Sequence, residues 1–344
     1  MAASFENPTF SCLNSRSIPP NEAREHGCFT ILPVRVSTRS DVTEDDTQYR
    51  LAKQWKETFG DHTFGTDGPE SYNGSQNKVF GPWDALTQPE AKHERLKYTL
   101  WLTAFFFLVD DKAASMSRLQ AHESYNRQLV RIFANEGSDE DLTTPMQKIA
   151  VPFIRDLLQC DCHRGIPILQ AWQEWLENVD AKAIEDLDSI EAYIQFRAMN
   201  SGIIPYLPHI RYTMELTISP DELRLLEEFQ TQAVKCTALA NDYWSWPSEA
   251  AANAKYHVRI MNIVPITSRL KGVSIEEAFE MTKQLVIDYE QQLLTMYTDL
   301  RSKYSHLSED FQRYMMAILW LVSGNHAWSS NCPRYDSPNN VTLM

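Results

Sequence analysis

Glycine is scarce, with 11 in 344 residues, and nowhere do short β-branched runs alternate with turn dipeptides, which argues against a sheet-built fold. No window approaches the ~18 consecutive apolar residues of a membrane span. The opening MAASFENPTFSCLNSRS lacks a basic stretch followed by an apolar one, so a cytoplasmic protein without stable membrane insertion is expected. Positive charge is in deficit: 32 Lys and Arg face 46 Asp and Glu, a net charge of −14. Such a chain repels phosphate backbones and has no nucleic acid as partner. Its six cysteines form no paired framework and read as reduced thiols. Cys160, Cys162 and His163 resemble half a zinc site, yet no second ligand pair stands at finger-like spacing, so a helix end or loop is expected there.

What remains is long, 43% hydrophobic and rich in aromatic residues, enough for a large core and for a cavity lined by rings. Apolar residues recur with helical period from residue 91 onward. Helices are predicted over 91–111, 115–136, 144–160, 166–184, 188–200, 219–246, 274–304 and 308–328. Ser219, Ser274 and Ser308 precede acidic first turns, and Pro220 stands at the first helical position, all helix-start signals. Between Ser37 and Asp67 the chain is polar and turn-rich, so irregular structure around one helix near 46–58 is expected.

Two acidic constellations carry chemistry. In Phe105-Phe106-Phe107-Leu108-Val109-Asp110-Asp111, adjacent carboxylates follow an apolar helix. Phe106 and Phe107 lie four and three residues before Asp110, on the side of its carboxylate. Two such acids are ordinarily solvated at a helix end; beside an apolar stripe they would be stabilised by a hard divalent cation. In Asn241-Asp242-Tyr243-Trp244-Ser245-Trp246-Pro247-Ser248-Glu249, the residues Asn241, Ser245 and Glu249 recur at i, i+4 and i+8. That spacing presents amide, hydroxyl and carboxylate oxygens on one helical face, a donor set suited to Mg²⁺.

These residues resemble the class I terpene synthases, whose aspartate-rich motif and N-D-x-x-S-x-x-x-E motif together bind magnesium. Asn241, Asp242, Ser245 and Glu249 fit the second motif, Arg197 stands 44 residues before Asn241, and Arg334-Tyr335 stands 93 after it. The segments ALTQPEAKHERL, FRAMNSG, RYTMELTISPDE, ALANDYWSWPSE and SGNHAWSSNCPRY are similar to the cyclase half of fungal bifunctional prenyltransferase–terpene cyclases. The resemblance implies an all-α class I terpenoid synthase bundle around a central apolar cavity. It implies an irregular segment with an early helix over 1–60, a cyclase domain over 61–338 and a tail over 339–344.

It also implies roles. Asp110 and Asp111 would hold metal through the first motif, and Asn241, Ser245 and Glu249 through the second, with three Mg²⁺ ions expected and Mn²⁺ as a substitute. Arg197, Arg334 and Tyr335 would donate hydrogen bonds to the substrate diphosphate. Asn200, Ser201 and Gly202 would form the helix break whose carbonyl assists ionisation. Phe106, Phe107 and Trp328, with Trp83 and Trp320 as further candidates, would face the carbocation. The substrate would be farnesyl, geranylgeranyl or geranylfarnesyl diphosphate, supplied by a separate prenyltransferase, and a homodimer is compatible with the family. Two departures stand out: Ala114 occupies the place of the motif's third acid, and Ser248 that of a lysine. They leave room for a catalytically degenerate relative. A chain-elongating prenyltransferase would carry a second aspartate-rich motif where the Asn-Ser-Glu motif stands.

Overall fold

The computed structural model describes residues 10–38, 40–59, 77, 79–114, 118–138, 141–179, 187–256 and 260–335, without the side chains of 40–46, 111, 114, 118, 119 and 256. Among these, structure is helical apart from one antiparallel pair, β1 (Ser15–Ile18) with β2 (Val34–Ser37), in the register Ser15 opposite Ser37. The short helix α1 (Pro20–Glu25) lies between the strands. Irregular chain was expected up to residue 60 around one helix near 46–58; instead residues 15–37 form this hairpin, and α2 spans Ser40–Phe59. The rest of the span to Asp67, from residue 60 on, lies outside the described residues, as do residues 339–344.

The central element is α14 (Glu309–Ser329), buried at every position from Tyr314 to Ser329. A helix apolar on all sides belongs in a core. Against it pack α3 (Trp83–Thr87), α9 (Tyr206–Thr213), α11 (Glu227–Tyr256) and β2. Gly324 admits the backbone of α3, since a Cβ there would collide with the Leu86 carbonyl. The helix α4 (His93–Ala114) packs on α2, α3 and α9, while α8 (Ile190–Asn200) and α12 (Ile263–Lys271) pack on α11. Farther out, α13 (Ile275–Lys303) covers α11 and α12. The helix starts read from the sequence are present: Ser219 and Ser274 form capping boxes at α10 (Pro220–Leu225) and α13, and Ser308 accepts the Phe311 amide.

Two helices predicted over 144–160 and 166–184 meet end to end in α7 (Pro145–Asn178). At the joint Asp161 takes non-helical angles (φ −159°, ψ 90°). Its Oδ1 accepts the Arg164 amide at 3.1 Å, as an N-cap does for a new helix. Arg95 and Arg164 clamp its Oδ2 at 2.9 and 3.0 Å. Cys160 and Cys162 are exposed on either side of this joint. The stretch predicted as one helix over 115–136 is α5 (Arg118–Ala121), a π turn (His122–Asn126) and α6 (Arg127–Ala134). Among the described residues no helix is long and apolar enough to cross a membrane.

Buried carboxylates fasten the N-terminal hairpin. Glu90 accepts the amides of Leu13 and Asn14 at 3.0 and 3.3 Å. Glu290 accepts Thr30 Oγ1 and the Ile31 amide, each at 2.9 Å, and lies 2.9 Å from His326 Nδ1 on α14. Elsewhere Asp84 on α3 is fully buried; its Oδ1 accepts Thr103 Oγ1 at 2.6 Å and its Oδ2 has no hydrogen-bond partner among the described residues. Burial pushes this carboxyl up to about 7. A carboxyl raised on folding costs stability as pH climbs from the unfolded value through 7, because the native state then holds the extra proton. Asp84→Asn keeps the acceptor without the charge. Its melting temperature is expected to lie nearest the parent's at about pH 4 and to exceed it by a few degrees at about pH 8 by differential scanning calorimetry.

Candidate active site

Asp242 sets the geometry. It lies on α11 with no solvent exposure, and three groups from two other helices converge on it. Tyr193 Oη donates to Oδ2 at 2.5 Å, Arg197 Nε donates to Oδ1 at 2.8 Å, and the Ile263 amide at the start of α12 donates to Oδ2 at 3.0 Å. Burial raises the Asp242 carboxyl, and Arg197 and Tyr193 pull it back. Burial likewise opposes charge on Arg197, but Asp242 outweighs it and keeps the guanidinium firmly protonated. The carboxyl stays raised on balance, and the short contacts from Arg197, Tyr193 and the Ile263 amide give it the full set of donors that a buried carboxylate requires. Neither Tyr193 nor Asn262 was among the residues read from the sequence. Tyr193 stands one helical turn before Arg197, a spacing that the sequence displays.

From Arg197 the network runs outward. Its Nη2 donates to Asn241 Oδ1 at 2.8 Å, and Asn241 Nδ2 donates to Tyr335 Oη at 2.6 Å. The neighbouring Arg334 points its Nη2 at Asp110 Oδ2, 3.5 Å away, with its guanidinium carbon 5.0 Å from the centre of the Phe107 ring. Phe107 stacks on Trp328 with centroids 6.1 Å apart, and Trp328 meets Tyr335 edge to face at 5.7 Å. Asp110 is exposed, whereas Arg334 and Tyr335 are half-buried. The end of α4, the middle of α11 and the segment after α14 are thus joined through two adjacent residues.

One turn along α11, Ser245 Oγ donates to Glu249 Oε1 at 2.5 Å, and Asn262 Nδ2 reaches Ser245 Oγ at 3.5 Å. The helix runs on through Pro247 to Tyr256. Burial first, and then the Asp242 charge, push Glu249 up to about 7. Among the described residues no group of three His, Cys, Asp or Glu side chains could hold a metal. The oxygens of Asn241, Ser245 and Glu249 form a different donor set, in which a carboxylate made costly by burial lies in contact with a hydroxyl oxygen. A hard divalent cation would offset that cost, so these residues fit one. The Asp111 side chain lies outside the described residues.

The expected helix break is present. The helix α8 ends at Asn200, whose Nδ2 lies 2.8 Å from Met261 Sδ; Ser201 Oγ donates to the Ala198 carbonyl, and Gly202 takes φ +70°, left-handed backbone that glycine adopts without strain. A Cβ at Gly202 would stand 3.4 Å from the Trp175 ring. Phe106, read as facing a cation, has one face covered by Trp172, with centroids 3.5 Å apart and planes within 8°. Trp83 donates to Asn325 Oδ1 at 2.9 Å, and Trp320 meets Phe10 and Arg35 near the hairpin. Trp320 is thereby placed apart from the motif residues.

Arg197→Met is expected to lose about 3–5 kcal/mol in urea unfolding, because Asp242 is left buried and unpaired. Adding Asp242→Asn should recover part of that loss. Divalent-ion binding requires deprotonated Glu249, so Mg²⁺ affinity should fall about tenfold from pH 8 to pH 6 in a titration followed by tryptophan fluorescence. Glu249→Gln should weaken binding and remove this pH dependence.

The chain is similar to several known proteins. A bifunctional terpene synthase of Fusarium proliferatum (strain ET1) is 29% identical over 334 residues, covering 96% of this chain and 43% of that protein. A sesterterpene synthase of Colletotrichum orbiculare is 26% identical over 322 residues, covering 91% and 44%. The chain thus spans less than half the length of these curated relatives. Among solved structures, aristolochene synthase from Penicillium roqueforti superposes with a TM-score of 0.67 at 18% identity, over 86% of this chain and 95% of that one, and shares the fold. Residues 101–292, which hold the end of α4, the Arg197 helix and the Asn241-Ser245-Glu249 face, match the model of terpene synthase family 2, C-terminal metal binding, and the chain belongs to that family.

Proposed function

We propose that the chain is a Mg²⁺-dependent cyclase that ionises a linear isoprenyl diphosphate and folds the carbocation into a polycyclic terpene, releasing diphosphate. One observation carries the reading: Arg334 and Tyr335, adjacent in sequence, reach Asp110 on α4 and Asn241 on α11 respectively. Two motifs separated by 130 residues of chain are bound to one pair of anion-binding donors.

The metal ions, held by Asp110 and Asp111 on one side and by Asn241, Ser245 and Glu249 on the other, would neutralise charge on the departing diphosphate. Arg334 and Arg197 supply planar donors suited to phosphate oxygens, and Tyr335 adds a hydroxyl. The 3.5 Å contact of Arg334 with an exposed carboxylate is long, so exchange for a phosphate oxygen costs little. Phe107 and Trp328 stack beside these donors and offer faces that exclude water and attract a cation. Beyond the end of α8, the carbonyls of Ser201 and Gly202 stand outside its hydrogen-bond ladder, available to assist ionisation.

A relative named a sesterterpene synthase favours a C25 substrate, geranylfarnesyl diphosphate, with geranylgeranyl and farnesyl diphosphate as the shorter candidates. A prenyltransferase activity must supply it. Ser248 favours a second reading: its buried hydroxyl donates to the Ser245 carbonyl at 2.9 Å, so a helix-internal bond replaces the cation of the motif. Together with Ala114 this describes a degenerate member that keeps the fold without the chemistry.

Purified protein with Mg²⁺ and each of the three diphosphates is expected to yield a cyclic hydrocarbon or alcohol by gas chromatography with mass detection, and Asn241→Ala to lose at least about 100-fold of that yield. Absence of product from every substrate rejects the cyclase reading. Absence also of thermal stabilisation by Mg²⁺ with inorganic diphosphate would establish the degenerate one.

A further inference from the structure

Behind the Phe106 ring lies a buried polar chain that no motif covers. Trp172 is the hub of an aromatic panel. One face stacks on Phe106, its edge meets Trp175 at 5.5 Å and 87°, and Tyr206 meets it at 5.5 Å and 78°. The panel therefore spans from the turn before Asp110 to the ring that packs on Gly202. Stacking alone fixes a ring poorly, because rotation about the normal and sliding in the plane change the contact area little. An edge hydrogen bond removes that freedom. Trp172 Nε1 donates to His209 Nε2 at 3.0 Å, and both residues are buried at 1% exposure.

The donors along this chain all run one way. For His209 Nε2 to accept, the ring proton must sit on Nδ1, where it faces Thr99 Oγ1 at 3.2 Å. Thr99 Oγ1 in turn stands 3.5 Å from Gln88 Oε1, which also accepts Thr213 Oγ1 at 2.7 Å. Burial pushes His209 down to about 3, so the imidazole is neutral at any working pH. Beside it, Thr103 links Tyr206 Oη at 3.0 Å to Asp84 Oδ1 at 2.6 Å, which anchors the second ring of the panel.

We infer that His209 is a positioning residue for cyclisation: by accepting the indole N–H of Trp172 it locks the orientation of the aromatic panel, and with it the fold of the bound isoprenoid chain. This inference rests on the cyclase reading. A neutral acceptor fixed by its tautomer is suited to the task, since a donor or a cation at this position would oppose both the indole N–H and a nearby carbocation.

The test compares His209→Leu, which removes the acceptor, with His209→Gln, whose side-chain oxygen reaches the place of Nε2. Each variant is checked for a cooperative melt and for parental Mg²⁺ affinity, and the products from the parent's preferred diphosphate are quantified. In His209→Leu the ratio of the major product to the next is expected to fall at least fivefold while total turnover stays within tenfold; in His209→Gln the ratio is expected to stay within twofold of the parent. The near-UV circular dichroism of the tryptophans should change in the first variant and persist in the second. An unchanged ratio in His209→Leu, or equal change in both variants, overturns the inference. If His209→Leu does not fold, 3-benzothienylalanine at position 172, an isostere of tryptophan without the N–H, carries the same expectation. A parent that makes no product defeats the cyclase reading and this inference with it, whereas a productive parent with an unresponsive ratio defeats this inference alone.

Discussion

A single buried charge organises the site. Removing the Asp242 carboxylate from water costs several kcal/mol unless donors surround it, and those donors come from α8 and from the first turn of α12. Neither helix can drift without stranding the charge. Arg197, bound on one side to Asp242, spends its remaining reach on Asn241, and Asn241 on Tyr335. The orientation of the second motif is thereby inherited from a residue that points away from it. This explains why two consecutive motif residues behave oppositely: Asp242 is sealed and structural, while Asn241 is half-exposed beside the oxygens of its own helix face.

The same device recurs beneath the N-terminal segment. Glu90 and Glu290 each gather backbone amides and hydroxyls of the N-terminal segment, and Glu290 also reaches His326 on the most deeply buried helix. A segment of 29 described residues with two four-residue strands has little apolar area to offer. Hydrogen bonds to buried carboxylates give it a defined seat where burial alone would give only adhesion.

Much of this was legible in the sequence, because the physics involved is local. The capping serines announce helix starts through one side chain and one amide three residues on. The face formed by Asn241, Ser245 and Glu249 follows from helical spacing. Other features were hidden, for identifiable reasons. The hairpin strands SRSI and VRVS, four residues each, are too short to stand out, although VRVS alternates. The helix end expected at Cys160 to His163 is the joint at Asp161, but that the second helix starts there, capped by Asp161 and clasped by Arg95, depends on tertiary contact. The His209–Trp172 bond links residues 37 apart whose meeting depends on how α7 and α9 pack. The covering of Phe106 by Trp172 is likewise a tertiary fact, invisible to the face argument that placed Phe106 beside Asp110.

The bend in α7 has a mechanical consequence. Because Asp161 interrupts the ladder and starts a fresh helix, the outer half, Pro145 to Cys160, and the inner half, which carries Trp172 and Trp175, are separate levers on one hinge. The direction of the tryptophan-bearing half is accordingly set by the clasp at Asp161 and not by helical continuity with the outer half.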